Sequence, residues 1–144
     1  MDNGSDPRCR RRNKHQMMIV LTYEFSSAHL YHQKTWSTQK NKEVFGKCYT
    51  EHGHGHNYKL QLEIEIGDAY PEPALAAIQK TVKPVISKID HTHLNFDVPY
   101  FKDIIPTTEN ISLYLKDQVV LPAPYQLKLL RLFEMDSIFV ELTI

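Results

Sequence analysis

Two stretches of the chain alternate apolar and polar residues, and this period of two predicts β-strands with one buried face. The first stretch covers residues 19–26, and the second runs from about His54 to Ile66. Continuing the first alternation places His29 on the same face as Phe25. Histidines at the ends of both strands therefore face the predicted core side of the sheet.

The C-terminal part predicts two further strands, over residues 127–134 and 138–144. Residues 135–137 between them form a short hairpin connection. Residues 31–53 are polar and lack either periodicity, so they are interpreted as a long functional loop.

Two amphipathic helices are predicted between the strand pairs. The first follows Pro71 and Pro73, and its apolar residues recur at spacings of three and four: Leu75, Ile78, Val82, Val85, Ile86 and Ile89. Pro84 is expected to kink or break it. Thr107 or Thr108 caps the second helix, whose buried stripe is Ile111, Tyr114, Leu115 and Val119. The order ββααββ favours an α+β domain with an antiparallel sheet.

Composition indicates one domain, since 144 residues can bury a core without disulfides. Seventeen basic and seventeen acidic residues balance, which gives no support for a nucleic-acid partner. No apolar run reaches the roughly 18 residues of a membrane span, and two cysteines do not make a disulfide framework, so a cytoplasmic protein is expected. Residues 1–17 are interpreted as a disordered basic tail rather than a nucleic-acid arm, and 18–144 as the domain.

Three histidines predict a metal site. His54 and His56 lie on one face of the second strand, separated by Gly55, which is expected to leave room for both rings to reach one ion. His29 alone would be interpreted as a core residue, but beside this pair it becomes the third ligand. Three histidines with an open fourth position are typical of a catalytic zinc site.

A cysteine and a histidine are the candidates for proton transfer. Cys48 lies shortly before the histidines, where a metal ion or a cation would lower a thiol pKa, although an ordinary buried cysteine is the alternative. Asp90 and His91 are adjacent, and an aspartate that orients a histidine can complete a proton relay.

Carboxylates are the candidates for recognising a heterocycle. Glu134 closes the third strand, and one carboxylate can accept the paired N–H groups of a pterin or guanine, although a hairpin-edge glutamate is the competing interpretation. Glu109 follows Thr107 and Thr108 and can instead be a first-turn acid favoured by the helix dipole.

Six short motifs, in order, resemble the 6-pyruvoyl-tetrahydropterin synthase / 6-carboxy-tetrahydropterin synthase family across about residues 18–144. They are Phe25-Ser26-Ser27-Ala28-His29, Phe45-Gly46-Lys47-Cys48, His54-Gly55-His56-Asn57-Tyr58, Asp90-His91 with Leu94-Asn95, Thr107-Thr108-Glu109-Asn110, and Phe133-Glu134.

The resemblance implies a tunnelling fold, in which a four-stranded antiparallel sheet carries two helices on one face. It further implies that trimers close a twelve-stranded barrel, that two trimers stack as a homohexamer, and that active sites lie between subunits. The implied substrate is 7,8-dihydroneopterin triphosphate.

The resemblance also assigns roles to residues. It implies that zinc is bound by His29, His54 and His56. Cys48 would be the proton-transferring base, with Asp90 and His91 as its partner acid/base. Glu134 would anchor the pterin ring, and Thr107, Thr108 and Glu109 would line that pocket.

The chain departs from the family pattern in two places. Residues 67–73 replace the stretch that usually precedes the first helix. Glu51 lies where some relatives carry a glutamate in place of the cysteine, so it competes with Cys48 for the base role. The expected activity is a zinc-dependent lyase that forms 6-carboxy-tetrahydropterin, a queuosine precursor, with loss of acetaldehyde and triphosphate. The alternatives are the 6-pyruvoyl product of the tetrahydrobiopterin pathway and a non-catalytic pterin- or metal-binding oligomer.

Overall fold

A single five-stranded sheet organises the chain in a computed structural model that describes residues 16–144. Its strands are β1 (Met17–His29), β2 (His54–Gly67), β3 (Thr92–His93), β4 (Gln126–Met135) and β5 (Ile138–Thr143). The spatial order is β3-β1-β2-β4-β5. All neighbours are antiparallel except β3, which pairs with β1 in parallel. The predicted α+β fold is confirmed, and its four strands gain one short edge strand.

Two long helices cover one face of this sheet. The helices are α1 (Thr38–Phe45), α2 (Pro71–Ile89), the short α3 (Leu94–Asp97) and α4 (Thr108–Gln118). The core joins α2 and α4 to the alternating apolar residues of β2, which are fully buried from Tyr58 through Ile64. The predicted stripes of both helices supply their part of this core, with Leu75 only partly buried.

The prediction that Pro84 breaks the first helix is wrong, because α2 continues through it to Ile89. Proline removes the N–H that would bond the carbonyl of Lys80. Both residues are exposed, so water can satisfy that carbonyl without interrupting the buried stripe.

The region interpreted as a loop contains α1 and a 3₁₀ turn, Gly46–Cys48. Helix α1 has no apolar stripe, since its only buried residue is Asn41. The Asn41 side chain donates to the carbonyls of Gln33, Trp36 and Ser37, at 3.1, 3.3 and 3.1 Å. A polar anchor of this kind leaves no periodic signal in the sequence.

The register of β1 against β2 determines where the histidines meet. Phe25 lies opposite Tyr58, Ser27 opposite His56, and His29 opposite His54. Because side chains alternate between faces, all three histidines project to the helix-covered face. Within residues 16–144, no helix combines the length and apolarity needed to cross a membrane. Most of the predicted basic tail lies outside the described residues.

Candidate metal centre and its surroundings

His29, His54 and His56 converge at the end of the β1–β2 pair. One nitrogen from each ring can serve as a ligand, and the three nitrogens all lie within 4.8 Å of one another. The Nε2 atoms of His29 and His54 are 3.1 Å apart. His29 is completely buried, and the other two are half-buried.

The environment of His29 prepares it to act as a ligand. Its Nδ1 lies 2.8 Å from the carbonyl oxygen of Pro106, which can accept a hydrogen bond from that nitrogen. The Nε2 lone pair then faces His54, and second-shell contacts of this type orient metal-binding imidazoles. Burial, opposed by the Pro106 contact and reinforced by His54, lowers the pKa of His29 to about 4. Burial likewise lowers the pKa of His54, followed by the effect of His56.

These residues fit a bound metal ion. Nδ1 of His54 and Nε2 of His56 are buried and have no hydrogen-bond partner among residues 16–144. Buried polar atoms normally have partners, so unpaired atoms in such a cluster require an explanation. Three mostly neutral imidazoles with converging lone pairs are the form that binds divalent metals.

The two glycines beside the ligands have different roles from the one the sequence predicts. Gly55 is exposed on the opposite face of the sheet, so it does not make room for the two rings. Gly53 has φ +78, and a Cβ there would lie 2.3 Å from the carbonyl oxygen of His29. Gly53 therefore permits the close approach of the chain entering β2 to the ligand strand β1.

Glu134 lies beside the histidines at the end of β4. One carboxylate oxygen is 3.4 Å from Nε2 of His56, although without hydrogen-bond geometry. The other accepts a hydrogen bond of 2.6 Å from the hydroxyl of Thr108. Glu134 is largely buried, at 19% exposure of its side chain, so it presents an acceptor next to the metal ligands.

The N-terminus of α4 supplies the remaining residues of the predicted pterin pocket. The Thr107 side chain accepts a hydrogen bond from the N–H of Asn110 and caps the helix, as the sequence predicts. Glu109 is exposed in the first turn, where it also satisfies the helix-dipole interpretation.

Cys48 approaches the same side of the sheet as the histidines. It is a half-buried free thiol in the 3₁₀ turn after α1. Its carbonyl accepts a 3.3 Å hydrogen bond from the N–H of Tyr31, whose ring packs edge-on against His29 at 5.0 Å. Burial, with the nearby charges of Glu134 and Cys48, raises the pKa of Tyr31, so this hydroxyl stays protonated.

Two tyrosines at the site were missed from the sequence. The hydroxyl of Tyr58 lies 3.1 Å from Nδ1 of His29, and burial raises its pKa. The alternation of β2 could have identified Tyr58, since it is in phase with His54 and His56. Tyr31 lies in the loop region, where no periodicity indicates which side chains face the site.

Asp90 and His91 lie beside β1 rather than beside Cys48. Asp90 accepts hydrogen bonds from the N–H of Ser26 at 2.9 Å and pairs with Nδ1 of His91 at 2.9 Å. The Ser26 N–H, and then His91, lower the pKa of Asp90. His91 is 82% exposed and has φ 57, an uncommon conformation for a residue other than glycine. It borders a cavity of about 490 Å³ with Gly55 and Asn57, which face away from the three histidines.

Within one chain, the structure therefore brings together the histidines, Glu134 and Cys48, and places the Asp90–His91 pair elsewhere. Glu51 is exposed, at 86% for its side chain, and its ion-pair neighbour is the equally exposed His52, 3.9 Å away.

Comparisons with known proteins agree with the motif pattern. A family model described as 6-pyruvoyl tetrahydropterin synthase matches residues 18–143. The 6-pyruvoyl tetrahydrobiopterin synthase of Poecilia reticulata is 38% identical over 120 residues, which covers 77% of this chain and 81% of that protein. The human protein of the same name is 36% identical over 129 residues, covering 85% and 88%. The structure of Caenorhabditis elegans 6-pyruvoyl tetrahydropterin synthase superposes with a TM-score of 0.81 at 28% identity, covering 90% of this chain and 96% of the other.

Proposed function

The chain belongs to the 6-pyruvoyl tetrahydropterin synthase family, a family of lyases, and we propose that it converts 7,8-dihydroneopterin triphosphate to 6-pyruvoyl-tetrahydropterin with release of triphosphate. The cluster of three histidines beside Glu134 and Cys48 is the observation that carries this proposal. The relatives described above are named for the pyruvoyl product, so the 6-carboxy product favoured by the sequence becomes the competing outcome.

His29, His54 and His56 would hold zinc. Three histidine ligands suit zinc and leave a coordination position for substrate. When bound, the ion would supply Lewis-acid polarisation of the oxygens on the substrate side chain.

Glu134 would orient the pterin. Its carboxylate can accept the ring N–H and the adjacent amino group as a bidentate pair. The Thr108 hydroxyl fixes one of its oxygens at 2.6 Å. Glu109 and Thr107 at the start of α4 would border the same ring.

Cys48 would act on the carbon side chain of the substrate. As a thiolate it would remove a proton from a side-chain carbon whose neighbouring oxygen is polarised. The electrons released at carbon can then expel triphosphate, and the later proton returns reduce the ring while the side chain is oxidised. No external oxidant or reductant is needed, since the redox change is internal to the substrate.

Asp90 and His91 would complete the acid/base set from a second subunit. Asp90 holds Nδ1 of His91 and leaves the other ring nitrogen for substrate. Because this pair lies away from Cys48 in its own chain, we propose that a neighbouring copy presents it, in the homohexamer that the family resemblance implies. Light scattering tests this assembly, and a monomeric mass would contradict it.

Product analysis tests the proposed activity. Purified zinc-loaded chain is incubated with 7,8-dihydroneopterin triphosphate, and the pterins are identified by mass spectrometry. We expect 6-pyruvoyl-tetrahydropterin and free triphosphate. Recovery of 6-carboxy-tetrahydropterin with acetaldehyde would overturn the proposal in favour of the competing lyase. Retention of zinc and pterin without turnover would favour a binding protein.

A further inference from the structure

His93 has no role in the proposed chemistry, yet it contacts the segments that carry the metal ligands. Its backbone, in β3, pairs with Ala28, the residue before His29. Its own N–H donates to the Asp97 carboxylate at 2.7 Å, and its ring packs on Phe96 at 4.3 Å between ring centroids. His93 is therefore fixed at both its backbone and its ring.

The side chain of His93 extends from β3 to the segment that enters β2. Its Nε2 lies 3.2 Å from the carbonyl oxygen of His52, two residues before the ligand His54. A carbonyl can only accept, so Nε2 carries the proton in this contact. The bond reaches across β1 and links the chain before His54 to the edge of the sheet.

Gly53 is enclosed between His93 and the first ligand strand. A Cβ built on Gly53 would lie 2.3 Å from the carbonyl oxygen of His29 and 3.1 Å from Nε2 of His93. The turn before His54 therefore has His29 on one side and the His93 ring on the other. A shift of this turn would move the His54 ring, whose Nε2 lies 3.1 Å from that of His29.

One nitrogen of His93 indicates that this arrangement is not simply the most favourable packing. Its Nδ1 is buried and has no partner among residues 16–144. An unpaired buried acceptor costs about 1–3 kcal/mol. An apolar ring of similar shape would avoid that cost but would lose the bond to His52.

We propose that His93 is a positioning residue of the metal centre, which fixes the His52–Gly53 turn and thereby holds His54 at the correct distance from His29. This inference rests on the metal centre of the proposed function and not on its substrate. His93 does not touch the ion; it acts through the backbone that precedes a ligand.

Metal affinity in three variants tests this role. His93→Phe keeps a ring and removes the donor, and His93→Gln restores an N–H donor at similar reach. His52→Ala is the matched control, because the exposed His52 side chain is removed while the carbonyl that His93 binds remains. Zinc dissociation constants are measured by competition with a chromophoric chelator, and the visible spectrum of the cobalt-substituted protein reports ligand geometry.

We expect His93→Phe to weaken zinc binding about tenfold, at the low end for residues that support ligands, and to alter the cobalt spectrum. His93→Gln should recover most of the affinity, and His52→Ala should match the parent. A His93→Phe protein with the affinity and cobalt spectrum of the parent would overturn the proposal.

Two further outcomes separate this inference from the proposed function. If His93→Phe does not fold, His93→Ala and His93→Gln are compared, and equal affinities in these two variants would overturn it. A parent chain that binds no metal would remove both the positioning role and the proposed lyase. Variants that behave as expected, in a chain that does not convert the pterin substrate, would remove only the lyase.

Discussion

Acidification should destabilise the metal-free protein, because folding buries His29 in its neutral form. Burial lowers the pKa of His29 to about 4 from its ordinary value of 6.5. Between these two pH values the unfolded chain binds a proton that the folded chain does not bind, so stability falls as pH falls. The contribution of His29 is complete above pH 6.5 and is progressively lost as pH drops toward 4.

The size of this effect follows from the two pKa values. Each unit of difference corresponds to ~1.4 kcal/mol. Between pH 7 and pH 5, proton binding to the unfolded state should lower the free energy of unfolding by about 2 kcal/mol from His29 alone. The pKa of His54 is also lowered, so its contribution has the same sign.

Urea unfolding in the presence of a chelator, at one fixed protein concentration, measures this change. His29→Gln removes the titrating ring and keeps an N–H near the Pro106 carbonyl, so its loss between pH 7 and pH 5 should be smaller by about 2 kcal/mol. His52→Gln removes an exposed histidine and should keep the full loss. The reasoning is refuted if His29→Gln loses as much stability on acidification as the parent.

Three further substitutions test the site. Cys48→Ala should lower kcat at least 100-fold, the usual minimum for a general base, with zinc retained, while Glu51→Gln should leave kcat unchanged; steady-state assays on both distinguish the two candidate bases, and the reverse ranking would assign the role to Glu51. Glu134→Gln should raise KM about 10- to 100-fold through loss of a charge-assisted pair, and an unchanged KM would exclude Glu134 as the pterin anchor. Gly53→Ala should reduce the free energy of unfolding by about 2 kcal/mol or more, since a Cβ clashes with the His29 carbonyl at positive φ; a midpoint equal to the parent's in urea would contradict this packing.

The alternating strands and helix stripes were readable from the sequence because burial imposes a period on side chains. The same alternation correctly placed His54, His56 and Tyr58 on one face. It could not find α1, whose anchor is the polar Asn41, because hydrogen bonds to loop carbonyls impose no period.

The sequence argument about Gly55 was wrong for a geometric reason. In a strand, the residue between two ligands faces away from them, so its size does not govern their approach. The glycine that matters is Gly53, where the limit comes from a long-range contact with His29 that spacing along the chain does not reveal.

The relation between Cys48 and the Asp90–His91 pair also lay beyond the sequence. Both are predicted as catalytic from motifs, and motifs carry no information on which copy of a chain supplies each group. The structure shows that Asp90 is bound to the edge of β1, and this placement is the reason for proposing that a second subunit takes part.

The most direct test follows one substrate through one protein, with and without its metal. The chain is stripped with a chelator, one part is reloaded with zinc, and both are incubated with 7,8-dihydroneopterin triphosphate before mass analysis of the pterins. The account predicts 6-pyruvoyl-tetrahydropterin and triphosphate from the reloaded protein and unchanged substrate from the stripped protein. Equal conversion by both, or 6-carboxy-tetrahydropterin as the product, would contradict it.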